Sequence, residues 1–545
     1  MDKSTAELIM TSLCERTTGA SGAAVLTSAE LAAIQMLFGT GLGVAEGKLQ
    51  TNLEKLVEIV PETPVFSPKV VWHPDSEPDQ NTLLCLDFGT SFSKAFVCDG
   101  DDSKSIPKLI DIKFGMDESG RPQFLLPSEM FIHAEEVHFG TAARRKFNLV
   151  EASQDRLIDN PKQYMTLGTD VTELNQKPLR PEQDPSQGFS QRDILVLYLA
   201  HLNLMVNISL DESGHSSDIL RRYAHPAWEK SSEKANGEAM ARIMAEAVAL
   251  AHLYPGDFSE KTSIERATRL AIAARESDGE SLPFELLKES VREATAAGAG
   301  ALMETDSGKR QPFVILDIGA GTTDVAGCIC VNDPRTDQVR VAEVTPAAKA
   351  LAQAGNSIDN ALLKEILEAS SLARGTTEYD RSLQNLRKSV RALKESLFND
   401  GFVVAPLATR ETVEIELEQF LKSQPMVKLF SRIKEIVTEA AFLVSGSDPT
   451  VFLVPTGGGS RLPIIDFLIA EPLRKNGRNI QLRLREAMPE DLKSPYPDLV
   501  PVYSQLAVAV GGALPSLPDQ VGSISEGIVD PGKKTLSAVY KSPHH

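Results

Sequence analysis

Two apolar runs, far apart in the chain, end in the same grammar: aspartate, one residue, glycine, small or hydroxyl-bearing residues, then a second apolar run. The first is Leu84-Cys85-Leu86-Asp87-Phe88-Gly89-Thr90-Ser91-Phe92-Ser93-Lys94-Ala95-Phe96-Val97. The second is Phe313-Val314-Ile315-Leu316-Asp317-Ile318-Gly319-Ala320-Gly321-Thr322-Thr323-Asp324-Val325. Each reads as a two-stranded hairpin with glycine at its tip, which leaves backbone N–H groups facing outward beside hydroxyls. Such a tip holds phosphate oxygens, and the carboxylate at the strand end reaches a phosphate-bound Mg²⁺ through water. One such hairpin alone is equally well a plain Asp-Gly turn. Two in one chain point to two mirrored phosphate clamps. A third signal, Phe452-Leu453-Val454-Pro455-Thr456-Gly457-Gly458-Gly459-Ser460-Arg461-Leu462-Pro463, places three glycines between a strand and a helix. They permit close backbone approach to a flat ligand such as adenine, with Arg461 stacked on its face. In isolation a flexible strand-to-helix turn explains that segment.

The surroundings are those of an ordinary globular protein. The 545 residues, at roughly 150 per domain, predict three or four domain-sized units. Hydrophobic residues are 42% and charged residues 24%, which excludes a disordered or fibrous chain. Lys and Arg total 56 against 75 Asp and Glu, a net charge of −19 that disfavours nucleic acid and anionic membrane as partners. The longest apolar run, Ile194–Val206, is broken by His201 and Asn203, and the start of the chain lacks a basic-then-apolar leader. Five cysteines cannot build a disulfide framework. A cytoplasmic location is the expectation.

Along the chain, residues 1–60 read as a small helical module, with capping-box spacing at Ser4/Glu7 and Thr27/Glu30. The proline-bearing stretch 61–81, with Trp72 in its middle, reads as an extended linker. Beyond it, short β-rich runs alternate with helical patterns at Gln191–Val206, Asn236–His252, Pro283–Leu302, Ile358–Ser370, Leu383–Phe398 and Leu429–Leu443, an α/β arrangement. Residues 516–545 read as a tail. Cys328 and Cys330 share one strand face and read as core cysteines, with no close Cys or His to complete a zinc set. Gly43–Leu49 is not a P-loop, because Leu42 and Leu49 stand at positions that need Gly and Ser/Thr.

In this order, the three glycine-rich signals resemble the phosphate-1, phosphate-2 and adenosine motifs of the actin-like ATPase superfamily. Within it the chain looks most like the nucleotide-binding domain of DnaK-type, seventy-kilodalton heat-shock chaperones. Arg222 to Trp228, Glu293 to Ala297, Gly355 to Asp359, Leu386 to Leu397 and Ala507 to Ala513 are similar to weaker family signatures. The resemblance covers about residues 82–515. It implies an actin-like fold: lobe I over 82–310 and lobe II over 311–515, each with a duplicated mixed sheet flanked by helices, around a central nucleotide cleft. It implies ATP or ADP with Mg²⁺ in that cleft, and slow hydrolysis.

By the same resemblance, Asp87 and Asp317 hold Mg²⁺ through water. Gly89, Thr90, Ser91, Gly319, Gly321 and Thr322 supply phosphate donors. Asp324 sits near the water and the metal, and Glu293 orients the water. Lys394, Gly457, Gly458, Gly459 and Arg461 form the nucleoside side. A lobe I cation reaches the terminal phosphate; Lys162 fits it best, and Arg156 is the competing alignment. The chain departs from the family at Ala294 (family proline), Arg391 (family acid), Glu395 (family base) and Gln505 (family acid). Only 30 residues follow position 515, too few for the family's C-terminal peptide-binding domain. The expected function is a nucleotide-driven switch for an unidentified protein partner recruited through 1–60. An actin-like filament protein and a small-molecule kinase are the competing classes.

Overall fold

The computed structural model describes residues 66–74, 77–100, 108–116, 120–150, 152–166, 169–229, 231–302, 309–333, 338–514 and 517–521. The helical module expected over 1–60, and most of the tail, lie outside these residues. Ten strands carry the architecture. In lobe I they are β1 (Asp79–Asp87), β2 (Phe92–Asp99), β3 (Lys108–Asp111), β4 (Ile219–His225) and β5 (Val291–Arg292); in lobe II they are β6 (Arg310–Ile318), β7 (Thr323–Asp333), β8 (Gln338–Val344), β9 (Thr450–Thr456) and β10 (Arg478–Leu484). Shorter elements are named by residue range.

The two sheets share one plan. The first has the order β3-β2-β1-β4-β5 and the second the order β8-β7-β6-β9-β10. In both, the first three strands form an antiparallel meander, and the last two add in parallel to its innermost strand. Parallel addition requires crossovers, and helices supply them. They are α1 (Gln191–Glu212) and α2 (Glu233–Leu253) in lobe I, then α3 (Glu293–Leu302), and α4 (Gly355–Ala369), α5 (Thr377–Asp400) and α6 (Gln424–Ser445) in lobe II, with α7 (Tyr503–Ala513) near the end. The protein is a two-lobed α/β structure with mixed, partly parallel sheets flanked by helices around a cleft.

Strand β4 is buried along its whole length although it carries two arginines. Their cost is met by fixed acceptors. Arg221 donates to Asn203 Oδ1 (2.8 Å) and Asn207 Oδ1 (2.9 Å), one turn apart on α1. Arg222 donates to the carbonyls of Gly512 (2.6 Å) and Leu514 (3.1 Å) at the C-terminal end of α7, where a helix presents unpaired carbonyls. Helix α1 is long and apolar enough to cross a bilayer, and 89% of its apolar window is buried inside the protein.

The lobes meet on the small-residue helices α3 and α7. Both belong to one core that also takes in Cys85 and Phe96 of lobe I and Phe313, Ile315 and Cys328 of lobe II. The helices cross closely: a Cβ on Gly511 would stand 1.9 Å from the Ala296 carbonyl oxygen. Beside this crossing, buried Arg292 bridges the lobes, 2.6 Å from Glu343 on β8 and 2.6 Å from Glu233. All four described cysteines are buried, as Cys328 and Cys330 were expected to be.

Two expectations need correction. The periodicity over Pro283–Leu302 is not one helix; it breaks into a 3₁₀ turn at Phe284–Leu286, strand β5, and then α3. Pairing of β5 with Ala224 and His225 outweighs the local helical pattern. The linker expected over 61–81 is not free along its length. Trp72 is buried, its backbone N–H bonds Ser281 O (2.9 Å) and its indole N–H bonds Glu285 Oε1 (2.6 Å), while Lys69 N–H bonds the Tyr254 hydroxyl (2.9 Å). The chain is already in β1 by Asp79.

Candidate functional site

Both Asp-x-Gly hairpins form as the sequence predicts, and their tips face each other across the cleft. A Cβ on Gly321 would lie 2.6 Å from Thr90 Oγ1, so only glycine allows this approach. Each tip is anchored from behind. In lobe I, Ser128 donates its hydroxyl to Gly89 O (2.7 Å) and its N–H to Ser91 O (2.9 Å). In lobe II, the start of α4 bonds the tip through Gly355 N to Gly319 O (3.1 Å) and Asn356 N to Ala320 O (2.7 Å).

Register then fixes which charges sit at the mouth. Asp87 pairs across its hairpin with Lys94, and Asp317 pairs across its hairpin with Asp324. The repeated scaffold therefore presents an acid–base pair from lobe I and two acids from lobe II. Lys94 Nζ lies 2.8 Å from Asp87 Oδ2. Thr456 donates to Asp317 Oδ1 at 3.1 Å. Neither carboxylate oxygen of Asp324, a residue only 3% exposed, completes a hydrogen bond.

Lys162 and Glu293 complete the set. The 3₁₀ turn Pro161–Met165 carries Lys162, and Glu293 is the first residue of α3. Their charged atoms are 2.7 Å apart, with both residues buried. Burial pulls the Lys162 ammonium down, but Glu293, Asp87 and Asp324 outweigh it and leave Lys162 above its ordinary value. Burial pushes Glu293 up against the pull of Lys162. Burial, then the charges of Glu293 and Asp87, pushes Asp317 up to about 6. Burial, then Glu293, pushes Asp324 up to about 8; Thr322 opposes this from nearby without a completed bond. Four carboxylates thus face two ammonium groups in a water-poor space. Such an excess of buried carboxylates keeps a proton at neutral pH in the ligand-free protein.

Arg156, the other candidate cation, lies elsewhere in the insertion. Its guanidinium lies over the Phe131 ring, 5.5 Å from the centroid, and donates to Ile132 O (3.4 Å). Lys162 is held from the other side, because the Trp228 indole N–H bonds the Met165 carbonyl at 2.9 Å.

The third glycine motif is packed onto the lobe II hairpin. Gly459 N bonds Ile318 O (2.9 Å), and Gly457 N bonds Ser504 O (2.7 Å). Gly457 has φ +78°, and a Cβ there would meet Asp317 Oδ1 at 2.5 Å. Only Gly458 of the three has no heavy atom near an added Cβ. The space at Gly457 and Gly459 is filled by the protein itself. Arg461 donates to Pro501 O (3.4 Å). Lys394 bridges Asp359 (2.8 Å) and the Gly355 carbonyl (3.4 Å), which ties α5 to the start of α4 below the second tip.

Helix α5 also reaches across to lobe I. Arg387 lies 3.7 Å from Asp155, Lys388 sits 5.4 Å from the Phe147 ring centroid, and Arg391 lies 3.9 Å from Glu129. Arg391 is thus part of an interlobe bridge.

The sequence reading gave no role to Lys94, Ser128, Thr456 or Trp228. Lys94 comes opposite Asp87 only through the register of the folded hairpin, across residues 88–93. Ser128, Thr456 and Trp228 carry no local signal. Among the described residues no group of three His, Cys, Asp or Glu is arranged to ligate a metal directly. A recess of about 290 Å³ elsewhere on lobe I is lined by two charged residues, Asp193 and Arg275, which lie 3.4 Å from each other. No protein-family model matches the chain, and no curated protein matches it.

Proposed function

We propose that the chain is an actin-like ATPase most similar to the nucleotide-binding domain of DnaK-type chaperones. In this reading it binds Mg²⁺-ATP between its lobes, hydrolyses it slowly, and switches conformation for a partner protein. One observation carries the reading: Lys162, Glu293, Asp87, Asp317 and Asp324 converge at two matching hairpin tips contributed by opposite lobes. The orphaned oxygens of buried Asp324, and the buried Ser91 hydroxyl that likewise lacks a partner, fit a site that awaits a polar, cation-bearing ligand.

Asp87 and Asp317 would hold Mg²⁺ through water, and the tips with Thr90, Ser91 and Thr322 would hold the phosphates. Bound Mg²⁺-ATP supplies a transferable terminal phosphoryl group whose charge the cation offsets. The chain does the rest by position. Lys162 presents a fixed positive charge that costs no reorganisation, because Glu293 and the Trp228-anchored turn already hold it. Glu293 orients water through its free lone pairs. Asp324 sits near the water and the metal, where its two partnerless oxygens can take part in holding that water. Gly458 leaves open backbone on the nucleoside side. The small residues of α3 and α7 give the lobes a close pivot, and residues 1–60 recruit the partner.

Calorimetry on the full chain tests this. Stoichiometric binding of ATP and ADP that requires Mg²⁺ is expected, with slow release of phosphate. Absence of nucleotide binding to folded protein overturns the reading. ATP-dependent sedimentation into polymers favours the filament class instead.

A further inference from the structure

The chain carries a large acid excess, yet Leu473 to Arg485 contains five cations (Arg474, Lys475, Arg478, Arg483 and Arg485) and no acid. This stretch is a hairpin at the edge of the lobe II sheet. Leu473–Lys475 pairs antiparallel with β10 and is the outermost strand, turning through Asn476 and Gly477 at positive φ. Leu473, Ile480 and Leu482 point into the lobe II core. Alternation therefore sends Arg474 and Arg483 to the other face, where Asn479, the cross-strand partner of Arg474, and then Gln481 separate them, while Lys475 falls on the side of Leu473.

The cations divide by what they touch. Arg478 serves the fold, donating to the Gly446 carbonyl and lying over Phe442. Arg474, Lys475 and Arg483 are exposed, and their side chains make no ion pair or hydrogen bond among the described residues. One or two charges on an edge strand are a common guard against strand addition. That accounts for Arg474 and Lys475 on the edge strand but not for Arg483, which is on the inner strand of the pair.

We propose that this hairpin is the docking surface for an acidic polypeptide segment of a partner. The inference is independent of the nucleotide reading. Two observations favour a peptide over nucleic acid. The stretch has no aromatic residue on which a base could stack. The −19 charge of the chain opposes a long polyanion more than a short segment whose contacts fall within a Debye length of the hairpin.

The test uses the full-length protein and a fluorescein-labelled octaglutamate peptide, read by anisotropy at low and physiological salt. A 20-nucleotide single strand of DNA is run in parallel. The expected result is saturable peptide binding that weakens with salt. The charge reversal Arg474→Glu, Lys475→Glu, Arg483→Glu should weaken it roughly tenfold or more. Reversal of exposed Lys234 and Lys364 should leave it unchanged. If the triple variant does not melt like the parent, the milder pair Arg474→Gln and Arg483→Gln decides, with weaker peptide binding expected. Equal affinity in parent and variant, no peptide binding, or tighter binding of DNA than of peptide overturns the proposal.

Discussion

Lys162 Nζ lies 2.7 Å from Glu293 Oε1, and each side chain is almost fully buried. The two come from different elements of lobe I, and each loses its nearest opposite charge without the other. Removing one partner of a buried pair commonly costs about 3–5 kcal/mol, whereas removing both costs far less. Lys162→Met and Glu293→Gln should therefore each lower the melting temperature, and the double variant should recover much of the loss. In the same proteins, loss of the Lys162 charge should slow hydrolysis by about 10²–10³-fold, and the double variant should not recover it. Recovery of turnover along with stability would mean that the pair is only structural.

Asp324 is a buried acid without a completed hydrogen bond, which is a cost to the ligand-free protein. Asp324→Asn should raise the melting temperature, with a gain of about 1–3 kcal/mol, while lowering turnover. The sign with pH follows from the raised value. Below pH 3.8 both folded and unfolded chains keep the proton, and the gain is small; it grows as pH rises toward about 8, where the folded protein must ionise Asp324. Melting curves of parent and variant from pH 5 to 8.5 check this. A gap that narrows with rising pH contradicts it.

The glycines of the third motif should separate under substitution. Gly457→Ala places a Cβ against Asp317 at positive φ and should destabilise by about 1–3 kcal/mol. Gly458→Ala meets open space and should leave stability within about 0.5 kcal/mol of the parent. Urea denaturation of both variants reads this directly. Weaker nucleotide binding by Gly458→Ala alone would then locate a ligand-facing surface.

His201 and His225 are both pushed down to about 4, chiefly by burial. His201 is fixed by a 2.6 Å contact of Nδ1 with Phe258 O, and His225 stacks on Trp228 with centroids 4.4 Å apart. Their imidazole resonances should stay in the neutral position from pH 7.5 to 5. The unfolded chain takes up these protons near pH 6.5, so the two groups subtract stability as pH falls from 6.5 toward 4. The raised Asp317 opposes them over the same range, so resolved imidazole signals in histidine-labelled protein are the sharper readout than a global melt. Titration of either ring near pH 6.5 would refute the prediction.

Local sequence determined what local energetics decide. An apolar run ending in Asp-x-Gly closes a hairpin, and both such hairpins formed where the residues dictated; at Gly89 a Cβ would stand 2.2 Å from Phe92 O. The helical periods of α1, α2, α4, α5 and α6 likewise marked real helices. The segment Pro283–Leu302 was misread because a two-residue strand leaves no period of its own; its pairing with β4 exists only in the folded protein. Trp72 looked like part of a linker because the pocket between His252 and Leu286 is assembled from distant segments. The places of Lys162 and Arg156 were also tertiary. Both are cations in one irregular insertion, yet Lys162 lies against Glu293 and Arg156 over the Phe131 ring. Hairpins and helices are fixed by contacts a few residues apart, whereas burial of a charge depends on which remote elements close over it, and that is settled by the whole fold.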